Sequence, residues 1–487
     1  MYQYRISTQF GNGYRNINGN KEVEKDLVSL FKPEYININK SGFADLLSCC
    51  LDTTNHIRWA KDKIEHIKEP VWEEIKKATN PYELIYATPN IAVASLKPLS
   101  RSFFKMIEII NEFVNGLIES EVLISLHIAE GPGGFIEATR YIRQSKSFMN
   151  DTAFGITLIN KTDNGENVRN IPAWKQSNYF LRNHPEVIIS YGIDGTGNIY
   201  NPDNINYLYM EIHSLCSQKN INSPTYVDFN NVMKCRIINT LEYSNNIFSK
   251  LETEPHLDVD ANIVDNFRDD CDGDNDGNDC NAGNAGNASN TMQKGHAVFI
   301  TADGGFDYSI DYNYQEQASS KLIFSQIITA IKCQAMNGIF ICKIFDMNLL
   351  ITVEMIYLLN LLYKEVIIYK PFTSRIANSE KYLICIGFKG VDNVLIDKLL
   401  FILAEWNKAN LNGKTFNRLF TEIPSGFIDE LKKINKIIVA KQINVINGIM
   451  HIYHNKLNLD KEWKTENFKK QYGNAVEWCK KYNIPYI

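Results

Sequence analysis

The sequence predicts an α/β protein built on a doubly wound, mostly parallel sheet with helical N- and C-terminal extensions. Three observations predict it. Between residues 122 and 388, apolar runs of strand length alternate with amphipathic helical patterns, the order that lays strands in parallel with helices over both faces. One such run, Leu123-Ile-Ser-Leu-His-Ile-Ala-Glu130, ends in the turn Gly131-Pro-Gly133-Gly134, and a helical pattern starts at Phe135 with Ala138 and Ile142 on one face. The flanking segments instead set apolar positions among charges at helical spacing.

The elements follow in order. Residues 1–90 form the expected helical N-terminal extension: 23–31 and 60–78 show helical spacing, with Trp59, Ile64, Ile67 and Trp72 as a packing stripe. A helix within 91–115 carries Lys105. The body runs through strand 122–129, helix 135–143, strand 153–158 and strand 187–191, which enters the turn-rich loop Gly192-Ile-Asp194-Gly-Thr196-Gly-Asn198-Ile-Tyr-Asn-Pro202. Residues 226–250 fit a helix or irregular chain. Alternation resumes with strand 298–302, helix 319–336, strand 339–345, helix 349–362 and strands 366–369 and 382–388. The α/β domain is thus expected over 91–395, followed by a helical C-terminal extension over 396–487.

Within the domain, residues 258–293 combine an Asp-rich run with Asn-Ala-Gly repeats and lack aromatics after Phe267, the composition of a disordered acidic insertion. Asp272-x-Asp274-x-Asp276-Gly277 begins like a calcium loop. Its twelfth position is Gly283, where a bidentate Glu is needed, so no metal site is expected.

Composition narrows the function classes. Of 487 residues, 44% are hydrophobic and 22% charged, which fits a globular chain, and no apolar run reaches the roughly 18 residues that span a bilayer. With no charged-then-apolar leader and ten scattered cysteines lacking a C-x-x-C pair, the reading is an intracellular protein with reduced thiols and no membrane partner; the lack of a nuclear-type basic cluster favours the cytoplasm, with the nucleus as the alternative. The abundance of Asn, Ile, Lys and Tyr points to an AT-rich genome, as in a large DNA virus or a protist. The net charge of −5 conceals an asymmetry: residues 252–279 hold eleven acidic residues against Arg268, so that stretch carries −10 and the rest of the chain +5. A mildly basic body accommodates an RNA substrate without requiring one.

Several residues suit a ligand site at the carboxyl edge of such a sheet. A strand, a glycine turn and a helix N-terminus bring backbone N–H groups close to a nucleotide-like ligand, although a glycine turn after a buried strand also serves structure alone. Asp303 ends an apolar run directly before Gly304-Gly305. It is either a turn residue or a group at the ligand edge. Lys343 interrupts the apolar run Gly338-Ile-Phe-Ile-Cys-Lys-Ile-Phe345 and either reaches water from a strand end or lies in a cleft. Lys105 and Glu380 are unremarkable alone.

Taken together, Ser100-Arg-Ser-Phe-Phe-Lys105, Ala129-Glu-Gly-Pro-Gly-Gly-Phe135, Phe154-Gly-Ile-Thr-Leu158, the 192–205 stretch, Ala302-Asp-Gly-Gly-Phe306, Cys342-Lys-Ile-Phe-Asp346 and Thr373-Ser-Arg-Ile-Ala-Asn-Ser-Glu380 resemble the FtsJ-type ribose 2′-O-methyltransferases, and most of all their cap-specific mRNA branch. The resemblance covers about residues 95 to 395. It implies a Rossmann-like methyltransferase sheet, S-adenosyl-L-methionine as cofactor, and a catalytic set formed by Lys105, Asp303, Lys343 and Glu380. It assigns cofactor binding to Glu130, Gly131, Pro132, Gly133, Gly134, Phe135, Asn198 and Asp303, with Thr196 and Asp194 as lesser candidates. His127 stands where the family commonly has Asp, Glu130 replaces a small residue, and Asn198 stands where the cap branch has Asp.

The expected reaction is transfer of the donor methyl to the ribose 2′-oxygen of the first transcribed nucleotide of capped mRNA. That hydroxyl needs a general base. Lys343 fills the role if desolvation and nearby Lys105 lower its pKa against the pull of Asp303 and Glu380. Lys370 and Arg375, near Glu380 in the chain, either face RNA phosphates or form solvated surface, and capped mRNA with other capping or transcription proteins are the expected partners. The competing readings are an rRNA or tRNA methyltransferase and a silent RNA-binding or scaffold subunit.

Overall fold

The computed structural model describes residues 2–7, 27–40, 44–49, 51–86, 91–114, 120, 122–144, 151–159, 174–218, 295–305, 312–454 and 461–487. The expected insertion at 258–293, the calcium-loop look-alike and the 226–250 segment lie outside the described residues. The strands are β1 (Tyr2–Arg5), β2 (Phe31–Asn37), β3 (Ile124–Ile128), β4 (Thr152–Ile156), β5 (Val187–Ser190), β6 (Ala297–Ala302), β7 (Gln334–Ile344), β8 (Tyr363–Lys370), β9 (Lys381–Phe388) and β10 (Lys414–Phe420). The longer helices are α1 (Leu51–Glu65), α2 (Glu69–Thr79), α3 (Ser102–Phe113), α4 (Gly134–Gln144), α5 (Pro202–Gln218), α6 (Gln315–Cys333), α7 (Leu350–Leu362), α8 (Asn393–Leu411), α9 (Ser425–His454) and α10 (Lys461–Lys481).

Among the described residues, eight strands form one sheet in the order β1-β8-β9-β7-β6-β3-β4-β5. From β7 across to β5 every neighbouring pair is parallel. β9 runs antiparallel between β7 and β8, and β1 pairs antiparallel with the outer side of β8. This is a Rossmann-like, mostly parallel sheet with flanking helices. The chain winds outward from β3 through β4 and β5, then returns to β6 on the other side. The crevice between the carboxyl ends of β3 and β6 is therefore the topological switch point, where open α/β sheets take their ligands.

Strand alternation sorts side chains to the two faces. In β7, Phe340, Cys342 and Ile344 join the core under α6, α7 and α8. Ile339 and Ile341 join the opposite core, built with Phe103, Phe104, Ile107 and Ile110 of α3 and Trp478 and Cys479 of α10. By the same alternation Lys343 falls on that second face, at the strand's end. Lys105 and Lys343 are thus brought to one place by two periodicities, 3.6 on the helix and 2 on the strand.

The extensions differ from their expected all-helical character. β1 extends the central sheet, and β2 pairs with β10 in a second, two-stranded sheet. Neither strand is long enough for its pattern to be told from helical spacing: β1 has four residues and β2 seven. α1 and α2 do pack as a stripe against α9, through Ile57, Ala60, Ile64, Ile67, Trp72 and Ile75. Trp59 is not in it: at 60% exposure it points away, with the Lys63 ammonium 3.3 Å from its ring centre. Ile57, Ala60 and Ile64 occupy the i, i+3, i+7 face that excludes position 59. α5 was not expected. Its start carries Pro202 at the helix N-terminus, and Ile205, Leu208, Ile212 and Cys216 form its buried stripe. No helix of the described residues is long and apolar enough to cross a membrane.

Candidate active site

The glycine turn is shaped by its neighbours. Ala129 has φ 54° and donates to the Ile156 carbonyl at 2.7 Å, so the chain leaves β3 bent toward β4. Gly133 has φ 104°, a conformation side chains resist, and its amide donates to the Glu130 carbonyl at 2.6 Å. A Cβ on Gly134 would run into the hydroxyls of Ser100 and Ser102, so glycine lets α4 approach the start of α3. Glu137 reinforces that join by accepting from the Leu99 amide at 2.7 Å, and burial pushes its carboxyl up to about 7.

His127 and Glu130 are absorbed into the interior. The His127 ring meets the Thr301 hydroxyl at 2.8 Å and the Ser125 hydroxyl at 3.0 Å. Glu130 accepts from the Thr301 hydroxyl through one oxygen and from the Ile136 amide through the other at 3.2 Å, capping α4. Burial raises the Glu130 pKa, opposed by His127. The side chains of Glu130 and Phe135 are buried, so only backbone at these two positions is left for a ligand; Gly131 and Pro132 form the half-exposed rim.

Thr157, one residue past β4, joins the glycine turn to the 192–204 loop. Its hydroxyl accepts from the Gly131 amide at 3.4 Å, and its carbonyl lies where a Cβ on Gly197 would fall. The loop is further pinned by Ile159 donating to the Thr196 carbonyl at 2.7 Å. Asp194 holds it together internally, accepting from Thr196, Asn201 and Asn204, which brings its carboxyl down to about 2 against the effect of burial. Asn198 uses its side-chain oxygen to accept from the Tyr200 amide at 3.0 Å. Gly197 has φ 66° as well as the Thr157 carbonyl against it. Gly197→Ala is therefore expected to cost about 1–3 kcal/mol of stability. An unchanged urea midpoint would show that the loop leaves the strand freely.

Across the switch point, Asp303, Lys343, Lys105 and Glu380 converge. Lys343 donates to the Asp303 carbonyl at 2.6 Å, and its ammonium stands 3.2 Å from Asp303 Oδ1. Tyr382 donates to the same Oδ1 at 3.2 Å from β9, where it is the direct register partner of Lys343. Lys105 and Glu380 form an ion pair at 2.7 Å. The four side chains are 11–15% exposed, so the group is largely buried but keeps some contact with solvent. Gly305 packs on this group: a Cβ there would lie 3.2 Å from the Lys343 ammonium.

Residues 98–388 match the family described as FtsJ-like methyltransferase, well over half of the chain. The chain belongs to this family. A zebrafish (Danio rerio) cap-specific mRNA (nucleoside-2′-O-)-methyltransferase 1 is 44% identical over 97 residues, 20% of this chain and 12% of that protein. The Trypanosoma brucei brucei protein of the same name is 31% identical over 161 residues, 32% of this chain and 43% of its own length. The chain thus spans only a part of the curated relatives it matches. A solved ribosomal RNA methyltransferase from Plasmodium falciparum aligns at 15% identity and a TM-score of 0.29, over 60% of this chain and 99% of that one.

Within this FtsJ-like body three expectations need correcting. Burial works against charge on Lys343, yet Asp303 and then Glu380 outweigh it, so its pKa lies above the ordinary lysine value and not below. Lys105, expected to push the other way, stands in an ion pair with Glu380. Lys370 does not face phosphates. It is 1% exposed and donates to the backbone carbonyls of Asn378 and Glu380, both at 2.6 Å, with burial bringing its pKa down to about 7. Arg375 is engaged by Glu83 at 2.6 and 2.9 Å, and Arg101 shares that carboxylate at 2.9 Å. Thr157, Tyr382 and Glu83 carry site geometry that sequence reasoning did not single out.

Proposed function

We propose that this chain is an S-adenosylmethionine-dependent 2′-O-methyltransferase of capped mRNA, acting on the ribose of the first transcribed nucleotide through its 91–395 domain. The observation that carries the reading is the convergence of Lys105, Asp303, Lys343 and Glu380 at the carboxyl edge of the sheet. The zebrafish and trypanosome likenesses favour the capped substrate.

The residues fit the cofactor. Gly131 and Pro132 leave half-exposed backbone at the rim of the turn, Asn198 adds a polar side chain across Thr157, and Asp303 closes the opposite side. S-adenosylmethionine supplies an electrophilic methyl and a positive charge. Lys343 serves as the base for the 2′-hydroxyl proton. Asp303 holds the Lys343 ammonium by two oxygens, fixing its direction, and Tyr382 in turn fixes the Asp303 carboxylate. Glu380 orients Lys105, whose ammonium is left to face the reacting ribose. Much of the acceleration then comes from holding nucleophile and methyl in line.

Labelled methyl transfer to three RNAs tests this: cap-methylated, uncapped 5′-triphosphate, and cap-methylated RNA already carrying the 2′-O-methyl. Transfer to the first alone is the expected result. Equal transfer to capped and uncapped RNA would move the substrate to rRNA or tRNA. Cofactor binding with no transfer to any of them would leave a silent subunit.

A further inference from the structure

We propose that Glu108 is a positioning residue that fixes Lys105 against Glu380 and links the C-terminal helix α10 to the active site. The inference rests on the catalytic reading of Lys105 and Glu380. Glu108 lies one turn beyond Lys105 on α3 and is 0% exposed, on a helix face whose neighbours Phe104, Ile107 and Phe113 are core residues. A carboxylate there is tolerated only if its oxygens are taken up.

Five donors converge on it. Oε1 accepts from the Tyr369 hydroxyl at 2.7 Å and the Phe372 amide at 2.6 Å. Oε2 accepts from the Thr373 amide and hydroxyl, each at 3.3 Å, and from the Trp478 indole N–H at 3.1 Å. Burial raises the Glu108 pKa and these donors oppose it. They come from the end of β8, from the connection between β8 and Glu380, and from α10. One side chain thus joins the helix that carries Lys105, the connection that delivers its ion-pair partner, and an element about a hundred residues further along the chain. Arg101, donating to the Thr373 carbonyl at 3.2 Å, holds the same connection from the other end of the helix.

The acceptor arrangement makes carboxylate chemistry specific here. A glutamine replaces one oxygen with an NH2 donor. On either side it would face an N–H that cannot turn away: the Phe372 amide at Oε1, or the Thr373 amide and Trp478 indole at Oε2. Hydroxyl donors rotate to adapt; these do not. The shape is kept and the geometry of the 371–373 turn is lost.

Glu108→Gln, Trp478→Phe and Tyr369→Phe test the assignment. Expected are a fall in kcat of about 30-fold for Glu108→Gln and about fivefold for Trp478→Phe, with the KM for S-adenosylmethionine unchanged within about twofold. The Glu108→Gln loss should largely vanish in a Glu380→Gln background, since both act through Lys105. A role in stability alone predicts instead a lower melting temperature with kcat intact, or fully additive losses, and either result overturns the proposal. If Glu108→Gln does not fold, Tyr369→Phe, which deletes one hydroxyl, decides by the same kcat and additivity criteria. Should the wild type transfer no methyl, the functional reading fails but this one is still read by hydrogen exchange. The Phe372 and Thr373 amides should then exchange about tenfold faster in Glu108→Gln and Trp478→Phe, and unchanged exchange would sink the proposal.

Discussion

Lys343→Met lowers methyl transfer by about 10³- to 10⁴-fold, with cofactor and RNA binding held within about threefold. Methionine preserves the unbranched stem and removes only the ammonium, so Asp303 keeps its hydrogen bond from Tyr382. The accompanying pH dependence has a definite sign. Lys343 acts as a base only when neutral, and Asp303 and Glu380 hold its pKa above the ordinary lysine value in the ligand-free protein. The rate therefore rises with pH throughout the neutral and mildly alkaline range. kcat/KM reports the free enzyme and kcat the complex. Because Lys343 sheds its proton more readily beside added positive charge, the limb in kcat should lie at lower pH than the limb in kcat/KM for the cationic methyl donor. Coincident limbs, or a Lys343→Met variant within tenfold of wild type, would remove Lys343 from the role of base.

What could be read from the sequence follows the range of the interactions. The strand–turn–helix at 124–144 was legible because its causes are local: apolar β residues, glycines where a Cβ has no room, and a 3.6-residue stripe. Strand order was legible as a class through β–α alternation. The four converging side chains were reached through motif resemblance, since each lies at the end of a different element and no local rule pairs Lys105 with Glu380. Lys370 and Arg375 were misjudged for the same reason in reverse. A lysine beside a proline reads as surface, and nothing nearby in the chain shows that the 378–380 backbone folds over it or that Glu83, nearly three hundred residues earlier, claims Arg375. Glu108 did leave a signal, a lone carboxylate among apolar positions of α3, but its five donors lie more than 250 residues away. β1, β2 and β10 escaped because four to seven residues are too few for a period-2 pattern to outweigh a charged, helix-like composition.

Glu380→Gln moves the pH–rate profile toward lower pH while reducing kcat by about 10²-fold, two effects that a simple loss of structure would not combine. Burial alone would raise the Glu380 pKa, but Lys105, then Lys343 and Lys370, hold it well below the usual carboxylate range. The coupling is mutual: Glu380 raises the pKa of both Lys343 and Lys370. Removing its charge lets Lys343 lose a proton at lower pH, so the limb shifts down even as Lys105 loses the partner that directs it. Stability changes with a sign that can be worked out independently. A carboxyl whose folded pKa is depressed stabilises the fold above its unfolded value of roughly 4.3, and that contribution is lost as pH falls through its folded pKa. Wild type should therefore lose stability on acidification below about pH 4, and Glu380→Gln should lose less over the same interval. At neutral pH the variant leaves three ammonium groups around one vacated charge, a loss of about 3 kcal/mol for a largely buried pair. Lys370, already near neutrality, limits the loss by giving up its proton. Urea unfolding at pH 3, 5 and 7 measures this. Parallel losses in the two proteins across that range would mean that Glu380 is protonated or solvated in the fold, and the paired-lysine account of the site would fall with it.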